Sequence, residues 1–102
     1  PGNIAWGHYF AGTKPVLRVR SGDTVAMRTV SGSPARLEQA GLAPARIQPE
    51  LRAVSEQVKD RGPGGHLLTG PVYIEEAEPG DVLEVRILEI TLPVDYAYTV
   101  FR

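Results

Sequence analysis

The sequence contains no cysteine, which excludes a disulfide framework, a thiol nucleophile and a cysteine metal site, and fits a reducing compartment. No apolar run approaches the ~20 residues that span a bilayer, and the first residues lack a charged segment followed by an apolar block. Neither sign of charge is in excess. The 11 basic and 12 acidic residues give a formal net charge of -1 and are spread along the chain, so the electrostatic footprint of nucleic-acid binding is missing. Also missing are a Walker-type loop, G-x-S-x-G and H-E-x-x-H, which removes support from phosphate chemistry and serine hydrolysis. These absences lead to the expectation of a cytoplasmic chain with neither a nucleic acid nor a membrane as partner.

What is present is densest in residues 62–92, GPGGHLLTGPVYIEEAEPGDVLEVRILEITL. Val72 and Ile74 share one face of an extended segment. Glu78-Pro79-Gly80-Asp81 then places proline where φ is preset and glycine where φ > 0 is wanted. Beyond that turn Leu83, Val85 and Ile87 alternate with polar residues, and from Leu88 the parity flips to Leu88, Ile90 and Leu92. The slip predicts a β-bulge near Ile87 and Leu88, or a strand passing between sheets.

Earlier, Leu17, Val19, Val25 and Met27 alternate about Ser21-Gly22-Asp23, which reads as a first hairpin. The two units match at their Gly-Asp pairs, with Arg28 and Arg86 at equivalent places, and two copies are too few for a stacked solenoid. Residues 31–46, rich in Gly, Ser, Pro and Ala, read as a surface excursion. Residues 49–58 read as a short amphipathic helix: Pro49 fits the first position, Glu50 the positive end, and Leu51, Val54 and Val58 form one stripe. Together these predict a mainly β fold, a β-sandwich of jelly-roll type built from hairpins, with one short α-helix around residues 49–58. At 102 residues the length is that of a single domain.

Two histidines are available for chemistry. His8 lies among Trp6, Tyr9 and Phe10, and either caps a core with them or serves a site. His66 follows Gly62-Pro63-Gly64-Gly65, where backbone and imidazole can approach a ligand closely. Without carboxylates at recognised spacing the two do not make a metal motif. Glu75, Glu76 and Glu78 read as a solvated hairpin tip that discourages edge pairing rather than as a cation site.

The block GPGGHLLTGPVYIEEAEPGDVLEV resembles a segment of the acetamidase/formamidase family of general form G-P-x-x-H-x-L-T-G-P-V, an acidic-alanine stretch, then E-P-G-D-x-L-E-V; PVLRVRSGDTV resembles that family's earlier hairpin. The likeness covers nearly the whole chain. It implies an amidase that cleaves the carbon–nitrogen bond of small linear amides such as formamide or acetamide with a metal-activated water, on a β-sandwich. It implies a divalent metal, zinc or calcium, with ligands outside this chain, and hence that residues 1–102 are a β-rich N-terminal part of a longer enzyme, inactive alone. It also implies a small amide as partner, with homo-oligomerisation or association with the rest of the enzyme. By position His66 carries over as the catalytic candidate, with Thr69 and Gly70 beside it and His8 as a further substrate-binding candidate. The chain departs from relatives in placing Trp6-Gly7 before His8, Ala11 where an acid is common, and Glu76 where glycine is usual. The alternative is a non-catalytic β-sandwich binding module of the same fold.

Overall fold

A computed structural model of the chain describes residues 1–99. Its elements in order are β1 (Ile4–Trp6), β2 (Leu17–Val19), α1 (Pro34–Gln39), a 3-10 turn (Pro44–Arg46), α2 (Pro49–Gln57), β3 (Leu67–Thr69) and β4 (Val72–Ile74). The strands form two separate pairs, β1 antiparallel to β3 and β2 parallel to β4. The described residues are therefore a small mixed arrangement of short strands and two α-helices.

The helix expected at residues 49–58 is α2, with Pro49 in its first turn beside Glu50 and with Leu51 and Val54 buried. The segment expected to be a surface excursion instead forms a helix, α1, and contributes Leu37 to the core. Ser33 caps α1 by accepting from Arg36 N–H, and Pro34 follows at the first helical position. The helix stops at Gly41, whose φ is +92°. There Gly41 N–H donates to Glu38 O and Leu42 N–H to Leu37 O, both at 2.9 Å, the paired bonds of a Schellman end. Leu37, Ile47 and Leu51 form the buried cluster, with Val30, Leu42, Leu67 and Tyr96 packed on it. Arg52 fastens the three helical pieces together, donating to Glu38 Oε1 at 2.7 Å and to Pro44 O at 3.0 Å. Tyr96 closes the cluster from the far end of the chain, its hydroxyl donating to Arg46 O at 3.2 Å.

Both predicted Gly-Asp turns form, and they form alike. Asp23 N–H donates to Arg20 O and Asp81 N–H to Glu78 O, each at 3.1 Å, with Gly22 at φ +88° and Gly80 at φ +103°. Neither closes a hairpin, which corrects that expectation. β2 and β4, the segments entering the turns, lie side by side, with Leu17 beside Val72 and Val19 beside Ile74. The acidic stretch expected to be a solvated tip ties this pair: Arg18 holds Glu75 through Nε–Oε1 at 2.8 Å and Nη2–Oε2 at 3.3 Å while lying 4.0 Å over the Tyr73 ring. Ser21 N–H also donates to Glu76 Oε1 at 2.7 Å.

Residues 24–30 and 82–92 belong to no strand among the described residues. The bulge expected at Ile87 and Leu88 is accordingly not formed, and Val82, Leu83, Val85, Ile87, Leu88, Ile90 and Leu92 are all exposed. The apolar residues from Tyr96 onward form no strand as far as residue 99, and residues 100–102 lie outside the described residues.

Two outcomes follow. Leu51 is 1% exposed, so Leu51→Ala should cost about 2–5 kcal/mol in denaturant unfolding, and a loss within about 0.5 kcal/mol, that of an ordinary surface change, would show that this cluster is not the core. Glu75 ionises below the ordinary carboxylate range, chiefly through the hydrogen bond from Arg18. Its contribution to stability is therefore complete above the unfolded value of about 4.3 and fades as pH falls through the lower folded value. The melting temperature of wild type should exceed that of Glu75→Gln at neutral pH and converge with it in acid; a gap independent of pH would contradict the pairing.

Candidate functional site

Pairing of β1 with β3 sets Ile4 opposite Thr69, Ala5 opposite Leu68 and Trp6 opposite Leu67. Beyond Trp6 the chain is pinned by an unusually close crossing. A Cβ built on Gly7 would lie 2.3 Å from Gly64 O and 2.9 Å from Gly62 O, and one on Gly62 would lie 2.5 Å from Gly7 O. Those contacts leave no room for side chains. Hydrogen bonds seal the crossing: Gly62 N–H donates to Trp6 O at 2.8 Å, Gly64 N–H to Gly7 O at 2.9 Å and Gly7 N–H to His66 O at 2.9 Å. Arg61 covers it, stacked 4.0 Å over the Trp6 ring and donating from Nε to Val58 O at 2.9 Å. The nearest atoms to Gly62 and Gly64 are thus those of Gly7 and His8, and the loop's glycines serve backbone-on-backbone approach.

From this crossing residues 8–13 run on beside the strand pair and border an open cleft of about 390 Å³. Its lining comes from Ala5, His8, Tyr9, Phe10, Ala11 and Thr13 on one stretch of chain and from Leu68, Thr69, Gly70 and Pro71 on the other. Three of the four site residues named from sequence, His8, Thr69 and Gly70, meet here. His66 is exposed at the other end of β3 and is not part of the lining.

Each of the three brings something different. Gly70 is buried and its N–H donates to Asn3 O at 2.9 Å, so it offers open floor rather than a donor. Thr69, half-buried in β3, brings a hydroxyl that both donates and accepts. His8, half-buried, brings an imidazole whose Nε2 lies 3.7 Å from Asp60 Oδ2. That separation is too long for a hydrogen bond and short enough to attract the ring when it is charged. Asp60 escaped notice in the sequence because nothing local links it to His8; the crossing at Gly62 brings it there.

Among the described residues no group of three or more His, Asp or Glu side chains is placed to hold a metal. The described residues therefore do not fit a divalent cation. No described helix is long and apolar enough to cross a membrane. The sequence model of the Acetamidase/Formamidase family matches residues 7–101. No curated protein and no solved structure matches the chain.

The crossing makes a sharp contrast testable within one loop. Gly7 is at φ +74° with no space for a Cβ, whereas Gly65 has open space and no positive φ. Gly7→Ala should destabilise by about 2–5 kcal/mol, combining left-handed strain with overpacking, and Gly65→Ala should stay within about 1 kcal/mol. Equal unfolding midpoints for the two variants would contradict the crossing.

Proposed function

Because the chain belongs to the acetamidase/formamidase family, we propose that it forms the substrate-binding part of an amidase that hydrolyses the carbon–nitrogen bond of small linear amides. The observation that carries the reading is the meeting of His8 with Thr69 and Gly70, some sixty positions apart in sequence, around one cleft of about 390 Å³.

Hydrolysis needs water to add to the amide carbon, negative charge to develop on the carbonyl oxygen, and a proton to reach the departing nitrogen as the bond breaks. The His8 imidazole, with Asp60 Oδ2 at 3.7 Å, takes a proton from water at one ring nitrogen and returns it to the leaving amine. The Thr69 hydroxyl donates to the amide oxygen as its charge grows. Gly70 leaves room for the planar amide to lie against the backbone. The divalent metal implied by the family is part of the proposal only as a group held by residues other than those described. Placement of the four strands within a larger β-sandwich, the coherence of residues 1–102 as one domain, a cytoplasmic setting and homo-oligomerisation belong to the same reading.

Ammonia release from formamide and acetamide by the intact protein tests it. His8→Asn should lower turnover by roughly 10²–10³-fold, the order seen when one group serving the transition state is lost, with the melting temperature held. His66→Asn, outside the cleft, should leave turnover per folded molecule within about twofold of wild type, an effect below about 0.5 kcal/mol. The reverse ranking would move the chemistry to His66 and overturn the assignment.

A further inference from the structure

Formamide carries no carbon beyond its carbonyl and acetamide only a methyl group, yet the cleft measures about 390 Å³. An apolar cavity of about 150 Å³ already admits benzene. Much of the extra space is bounded by hydrocarbon, from Phe10, Leu68, Pro71 and Ala5. A ligand that leaves such walls wet forfeits their burial.

Phe10 stands at a turn closed through its own carbonyl. Thr13 N–H donates to Phe10 O at 3.0 Å, and a Cβ on Gly12 would lie 2.6 Å from Phe10 Cε1. The ring therefore rests directly on the glycine, in a place that any side chain at position 12 would deny it. The outer part of the ring remains in water, 70% of the residue being exposed, so ordering an acyl group beneath it would bury area on both partners.

We propose that the cleft takes carboxamides with an apolar acyl group larger than acetyl, a linear alkyl chain or a phenyl ring, and that Phe10 is the specificity-determining wall. The inference rests on the amidase reading for its reaction and on the cleft alone for its selectivity, so the two fail separately. The chemistry at the carbonyl is unchanged; what differs is the group carried on the carbon.

The test is a chain-length series of formamide, acetamide, propionamide and butyramide, with benzamide, on the intact protein. In parallel, binding of acetamide and butyramide is followed by NMR shifts of the Phe10 and Leu68 resonances. Each added methylene should raise kcat/KM and tighten binding by about fourfold, the worth of one buried CH₂. Phe10→Ala should flatten that dependence, and Gly12→Ala, which displaces the same ring, should flatten it too. Turnover and binding that are flat or fall beyond acetamide would overturn the inference while leaving the amidase reading intact. Absence of turnover on every amide, with butyramide still binding more tightly than acetamide, would remove the amidase reading and uphold the cleft's preference. If either variant fails to fold, the wild-type series alone decides.

Discussion

The contact on which most of the described structure depends is the passage of Gly7 against Gly62 and Gly64, with backbone oxygens where side chains would otherwise stand. It holds together parts of the chain more than fifty residues apart. From it follow the stacking of Arg61 on Trp6 and the delivery of His66 to the start of β3. The approach of Asp60 to His8 follows as well. A backbone crossing of this kind derives its strength from geometry: three hydrogen bonds of 2.8–2.9 Å, each worth about 1 kcal/mol net, are made only because no Cβ intervenes. The cleft lies immediately beyond, and its His8 wall is positioned by that crossing rather than by burial in a core.

The apolar cluster of Leu37, Ile47 and Leu51 acts at a distance from the cleft. It connects to the strand pair through Leu67, the first residue of β3, which packs on the cluster and pairs with Trp6. Arg61 makes a second link, stacking on Trp6 of β1 while donating to Val58 O at the end of α2. The second pair, β2 with β4, leans on polar ties instead, with the Arg18 guanidinium shared between Glu75 and the Tyr73 ring. Such exposed ion pairs contribute little individually, so the parallel pair owes its register as much to Val16 N–H on Pro71 O and Glu75 N–H on Val19 O.

Local chemistry was legible in the sequence and partnership was not. Pro49, Glu50 and the Leu51–Val54 stripe announced α2, and both Gly-Asp turns formed with the positive φ that their glycines permit. The Ser33-Pro34 start and the Gly41 stop of α1 carried an equally readable signal, obscured by a composition typical of loops. Alternation in residues 72–74 identified β4 but not its neighbour, which is β2 in parallel rather than the segment beyond its own turn, and alternation in residues 83–92 corresponds to no strand among the described residues. At the site, Thr69, Gly70 and His8 were singled out and meet in one cleft. The glycines before His66 signal close approach in the sequence, and what approaches them is another stretch of backbone, at Gly7; glycine marks close approach without saying what approaches.

The central claim is that a small amide is held between His8, Thr69 and Gly70. The most direct measurement is a crystal structure of the intact protein with a non-hydrolysable amide analogue. The analogue should lie in the cleft, its polar end within hydrogen-bond distance of the His8 imidazole and the Thr69 hydroxyl, and its hydrocarbon against Phe10 and Leu68. An analogue bound at His66 with the cleft vacant would contradict it.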